Sequence, residues 1–147
     1  MSEVLQISYA QEMTPKNRFL RCELLPGQNP DEAAMEASLF DFATTNYEMG
    51  ARVISIPPSR AFAQHTHPYA HHFIYVLQGT GIIVYDGETY TLKAGGSCLV
   101  RRGVEHKLGA GEEGLLAIVV NTPTYEHDDP RHVHYSEEET LASIEIK

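Results

Sequence analysis

The stretch HTHPYAHHFIYVLQG, His65 to Gly79, sets four histidines within eight residues at the head of an apolar run. In an extended chain, residues two apart point to the same face, so His65 and His67 present two imidazoles together while Thr66 points away. Paired imidazoles suit first-row transition ions. His71 and His72 are adjacent, so a strand turns only one of them toward the same interior. A strand beginning near His72 puts His72, Ile74, Val76 and Gln78 on one face and Phe73, Tyr75 and Leu77 on the other. His106 follows the turn-rich RRGVEH, from which a loop can carry it back to the first group and bring the nitrogens to four.

The elements that must position these side chains are short. From Arg52 onward the chain runs through ARVISI, FAQHTH, FIYVLQ, GIIVYD, ETYTL, SCLVR and LLAIVV, with turn residues between them. Turn signals at such close intervals predict an antiparallel sandwich or barrel rather than alternating strands and helices. Asp86-Gly87 is the clearest hairpin signal, because a type I′ turn needs positive φ at both central residues. The glycines at 79, 81, 95, 96, 103, 109, 111 and 114 are expected between strands, as tight connections. Earlier in the chain, RFLRCELL and SLFDFATT are expected as strands, with a short helical turn at Asp31–Glu36 between them, Asn29 serving as cap and Pro30 as first helical residue. The segment TPTYEHDDPRHVHYSEEE beyond Asn121, from Thr122 to Glu139 and with His127, His132 and His134, is expected as a polar surface excursion, and TLASIEIK as a final edge strand.

The 147 residues correspond to one domain. A formal net charge of −9, with no basic cluster larger than Arg101-Arg102, argues against nucleic acid and anionic membrane as partners. FIYVL and LLAIVV are far shorter than the roughly 20 residues of a membrane span, and MSEVLQISYAQEM has neither the basic nor the apolar part of a signal peptide. The expected location is therefore cytoplasmic. The two cysteines, Cys22 and Cys98, form no CxxC pair and are expected as free thiols, Cys98 filling core space. No internal repeat is present, which excludes a duplicated barrel.

The histidine spacing resembles that of the cupin family, whose first motif reads G-x5-H-x-H-x3–4-E-x6-G and whose second reads G-x5-P-x-G-x2-H-x3-N. Here His65, His67, His72 and Gly79 keep the first motif's spacing from its first histidine onward, and Gly95, Arg101, Gly103 and His106 keep that of the second. The register selects His72 over His71. Ser59 stands at the leading glycine, Arg101 at the proline, Ala110 at the asparagine and His72 at the usual acid. The resemblance covers about Met49 to Pro123. It implies an all-β, cupin-type antiparallel barrel (double-stranded β-helix, or jelly roll) over residues 49–123, an N-terminal strand extension over 1–48, and a polar C-terminal segment over 124–147. It also implies one divalent transition metal per chain held by His65, His67, His72 and His106, and a homodimer with residues before Met49 at the interface.

Four neutral imidazoles would leave the charge of a divalent ion uncompensated, so the centre should prefer anionic oxygen. Zn, Fe, Ni, Co, Cu and Mn all remain open as its metal, and an octahedral ion would keep two positions for a small-molecule substrate. Three functions follow. The metal can polarise a carbonyl and stabilise an enolate, as in a cyclase, isomerase or lyase, including the polyketide cyclases the resemblance permits. It can instead activate O2 beside a chelated substrate, as in histidine-ligated cupin dioxygenases. Or the domain binds a small molecule without turnover, a use disfavoured here because no DNA-binding segment precedes the barrel. Ile74 and Val76 beside His72 point to a partly hydrophobic carbonyl substrate. Gln78, Tyr69 and His71 are the candidate substrate-contacting residues at the rim.

Overall fold

The computed structural model describes residues 19–21, 34–62, 64–124, 134–135 and 142–143. Among them the chain forms strands β1 (Phe19–Arg21), β2 (Met35–Ser38), β3 (Gly50–Ile56), β4 (Arg60–Ala61), β5 (His65–Thr66), β6 (His71–Tyr85), β7 (Glu88–Lys93), β8 (Ser97–Val100), β9 (His106–Thr122), β10 (His134–Tyr135) and β11 (Ala142–Ser143). Every pairing is antiparallel. The expected all-β, antiparallel architecture is what the described residues adopt. No helix among the described residues is long and apolar enough to cross a membrane.

Two long strands organise the barrel. β9 pairs with β6 over both of its halves, His106–Ala110 and Leu115–Thr122. The C-terminal half of β9 continues on its other edge to β3, and thence to β2 and β1. Its N-terminal half continues to β4 and β5, which in turn take β11 and β10. The free edge of β6 takes β8 beside His72–Tyr75 and β7 beside Thr80–Tyr85. Each long strand thus belongs to two sheets and bends between them. One core joins the sheets: Ile54, Ile74, Val76, Val100 and Val119 from the first pack in one cluster with Ile83, Leu108 and Ala110 from the second.

The bend corrects one expectation from the sequence. FIYVLQ and GIIVYD are not separate strands divided by a glycine turn; they are the two arms of β6, and Gly79, Gly81, Gly109, Gly111 and Gly114 all lie inside β6 or β9. The reason is close backbone approach. Gly79 has φ +77, and a Cβ there would collide with the carbonyl oxygen of Gly114, itself at φ +78. The register slips at the same place, between Val76 and Gln78 and again between Gly79 and Gly81, so the pairing survives while the strand turns. Gly79→Ala should lower stability by more than about 1 kcal/mol, because it adds positive-φ strain to the collision. A urea midpoint equal to that of the unmodified protein would contradict this packing.

The Asp86-Gly87 hairpin forms as expected, with φ of 48 and 83 at the two turn residues. Ser59, where the resemblance expects glycine, also sits at positive φ, 57. The N-terminal expectations are revised. SLFDFATT is not one strand: β2 ends at Ser38 and Phe42–Thr45 is a 3-10 turn. Asp41 accepts a hydrogen bond from the Ala43 N–H at 3.0 Å and Asn46 closes the turn in the left-handed conformation, local bonding that competes successfully with strand pairing. Met35 and Glu36 lie in β2 rather than in a helical turn; residues 31–33 of that expectation are outside the described residues. So are Cys22 and all of RFLRCELL beyond Arg21, and all of TLASIEIK except Ala142–Ser143, which pair with β4.

Candidate metal centre

Three of the expected ligands come from one sheet. His65 on β5 is the direct cross-strand partner of His106 at the start of β9, and His67 follows two residues on. His67 and His106 are buried, His65 half-buried, and one nitrogen from each of the three lies within 4.8 Å of the others. The ring centroids stand 4.7 Å apart for His65 and His67, 4.3 Å for His65 and His106, and 5.1 Å for His67 and His106. The fourth histidine arrives from the other sheet. His72 is buried at the head of β6, where His72, Ile74 and Val76 point inward and Phe73, Tyr75 and Leu77 outward. Its ring stacks on His67, with centroids 3.8 Å apart and planes 14° from parallel, and lies 6.2 Å from His106.

The turn between β8 and β9 holds this group by its backbone. The Gly103 N–H donates to the His67 carbonyl at 2.8 Å. His106 Nδ1 lies 2.9 Å from the Val104 carbonyl. A carbonyl only accepts, so Nδ1 carries the proton and the Nε2 lone pair is left for a ligand interaction. Arg102 donates from its backbone N–H to His71 Nδ1 at 2.9 Å, and its Nε lies 3.2 Å from His71 Nε2. A neutral imidazole accepts at one nitrogen only, and the shorter backbone contact takes that place. His71 is thereby committed to this turn, and the converging trio does not include it.

Electrostatics keep the inner rings neutral. Burial, then the charge of His65, pushes His106 down to about 3 against the raising effect of its bond to Val104. Burial also holds His72 well below the usual histidine value, helped by the charges of His106, His65 and Arg52. Neutral imidazoles are the form a metal requires. The same shifts set an acid dependence. Below about pH 6.5 the unfolded chain protonates these rings while the folded chain does not, so stability falls as pH drops, by about 1.4 kcal/mol per pH unit for each ring. For His106 this continues to about pH 3. In chelator-treated protein, urea unfolding from pH 7 to pH 4 should show the gap between the unmodified chain and His106→Gln closing as pH falls; a constant gap would contradict the buried neutral ring.

The other candidates fall elsewhere. Gln78 is exposed, not on the inner face with His72, because the register slip after Val76 turns both Leu77 and Gln78 outward. Tyr69 is 57 % exposed at the bend before β6. His134 is exposed on β10, paired with Thr66 and so beside β5, while His127 and His132 lie outside the described residues. Cys98 is a free, half-buried thiol opposite Ile74, raised to about 11 by burial.

The structure also brings in residues that the sequence reading passed over. Arg52 on β3 is buried at the same interior. Its Nη1 donates to Asn121 Oδ1 at 2.9 Å and to Thr124 Oγ1 at 3.4 Å. Its Nε stands 3.7 Å from Glu36 Oε1, and its guanidinium lies 4.6 Å over the Phe42 ring. The available signal was the alternation of GARVISI, where Arg52 shares the inward face with Ile54 and Ile56.

Residues 52–121 match the family model described as cupin domain. Among solved structures, the fold is similar to a predicted oxalate decarboxylase from Thermotoga maritima (TM-score 0.68, 19% identity, covering 81% of this chain and 100% of that one). It is similar also to the polyketide cyclase RemF from Streptomyces resistomycificus (0.66, 18%, 92% and 87%) and to KdgF from Halomonas sp. (0.65, 16%, 84% and 97%). A curated relative, the HTH-type transcriptional activator RhaS of Klebsiella pneumoniae (strain 342), is 34% identical over 67 residues, 44% of this chain. The match spans only 24% of that activator's length.

Proposed function

Residues 52–121 of this chain are a cupin domain, and from that premise we propose that the protein is a metal-dependent enzyme acting on a small, partly hydrophobic, enolisable carbonyl compound. The observation that carries the proposal is the convergence of His65, His67 and His106 inside the barrel, with His106 fixed in the tautomer that leaves Nε2 for a ligand. His72, stacked against His67, is proposed as the fourth ligand. A divalent transition ion bound there would supply Lewis acidity toward a carbonyl oxygen.

The chain's own residues shape the rest. Among the described residues the converging group contains no carboxylate, so imidazoles alone would leave the centre cationic and receptive to an enolate or carboxylate oxygen. Ile74 and Val76, buried on the inner face beside His72, exclude water and suit an apolar substrate portion. Val104 and Gly103 hold His106 and the His67 backbone, so little reorganisation is needed at the site. The test is a panel of 1,3-dicarbonyl compounds given to the metal-loaded protein. Product formed under anaerobic conditions is the expected result. Turnover only with O2 uptake at an oxygen electrode would replace this proposal by the dioxygenase alternative.

One observation favours a second reading, a small-molecule-binding module without turnover: the curated relative is a transcriptional activator. Saturable ligand binding with no product in either atmosphere would select it. We also propose a cytoplasmic homodimer. Residues before Met49 were expected at its interface; the apolar patch of Phe73, Tyr75, Leu77 and Leu99, exposed together on the outer face of β6 and β8, is a different face and of the kind that a second copy covers. Light scattering at micromolar concentration should give twice the monomer mass, and monomer alone would count against it.

A further inference from the structure

Asn121 is fully buried on β9. It is the cross-strand partner of His72, and both side chains are buried on the inner face of that sheet. The orientation of its amide is settled by chemistry rather than by shape. Arg52 has only donors, so the amide atom 2.9 Å from Arg52 Nη1 must be the oxygen, Oδ1. That leaves Nδ2, with two N–H donors, turned away from Arg52. This nitrogen is buried and has no hydrogen-bond partner among the described residues. A buried amide nitrogen without an acceptor is costly, so one kept beside a candidate metal centre asks for an acceptor that the described residues do not supply.

We propose that Asn121 is a substrate-binding residue whose Nδ2 donates to a substrate oxygen next to the histidine cluster, and that Arg52 is the positioning residue that keeps the amide in this orientation. The inference rests on the proposed metal function and narrows its substrate class. The ligand must present an acceptor oxygen beside the one that meets the metal, as an oxo acid or the enolate of a β-dicarbonyl compound does. A compound presenting an N–H at that place would leave Nδ2 facing another donor.

The test uses the full chain loaded with Co(II), whose visible absorption shifts when an added ligand enters its coordination sphere. Two probes are titrated, pentane-2,4-dione and imidazole. Imidazole binds through one nitrogen and shows only an N–H on its far side, so it reports on access to the metal alone. Asn121→Ala should lower the preference for the dione over imidazole by about tenfold or more, the effect expected for one lost hydrogen bond to a charged oxygen. Metal content should be unchanged. Asn121→Asp keeps the shape and an acceptor for Arg52 but removes the donors, and it should lose the same preference if the alanine protein fails to fold. An unchanged preference in either folded variant overturns the assignment. Unmodified protein that holds Co(II) and responds to imidazole but not to the dione overturns it too, with the metal centre left standing; failure to take up Co(II) at all overturns the reading beneath it.

Discussion

His106→Ala is expected to bind a divalent transition ion more than about 100-fold more weakly than the unmodified chain, beyond the range seen when only an outer hydrogen-bond partner of a ligand is removed. His106 is the best prepared of the converging residues. It is buried, its Nδ1 proton is committed to Val104, and its depressed proton affinity keeps the ring neutral at physiological pH. Equilibrium dialysis against Co(II) or Zn(II), with metal-free protein at pH 7, reads the loss directly. Affinity within a few-fold of the unmodified chain would remove His106 from the centre. His72→Ala is the companion measurement: a comparable loss makes His72 a ligand, and full retention leaves it as the ring on which His67 stacks.

Arg52→Met is expected to cost about 3–5 kcal/mol of folding stability, the usual consequence of removing one partner from a buried ion pair. Against a total of roughly 5–15 kcal/mol for a domain, this would leave the variant close to unfolding. Arg52 bonds Asn121 and Thr124, faces Glu36 and covers Phe42, so methionine restores the apolar stem but none of the polar contacts. It also leaves the partly buried Glu36 without this counter-charge. Replacing both, as Arg52→Met with Glu36→Leu, should recover most of the loss, since an apolar pair often matches a buried ionic one. Urea unfolding of the single and double variants checks this. A cost below about 1 kcal/mol for Arg52→Met would show that the network does not hold the barrel end together.

How far the sequence spoke depends on the range of the interaction concerned. The HxH pair was legible because strand geometry alone puts His65 and His67 on one side, and the Asp86-Gly87 turn because its backbone conformation demands those residue types. His72 was placed inward by alternation, and the burial of His72, Ile74 and Val76 follows that pattern. Gln78 was misplaced by the same rule, since one extra residue at the β6 bend reverses the alternation and nothing in FIYVLQG marks where the slip occurs. The internal glycines of β6 and β9 were read as turns because a close approach between strands distant in sequence leaves the same glycine signature as a tight turn. The network of Arg52, Glu36 and Asn121 was hidden for a related reason, although the alternation of GARVISI turns Arg52 inward. Each is an ordinary residue in its own strand, and only the pairing of β2, β3 and β9 assembles them.

The central claim is a transition metal held by histidines inside the barrel. Its most direct test is elemental analysis of protein purified without a histidine tag, as isolated and after reconstitution and desalting. About one equivalent per chain of a single first-row transition metal is the predicted result. Protein that stays below about a tenth of an equivalent after reconstitution with Fe(II), Ni, Co, Cu, Mn and Zn in turn would contradict it.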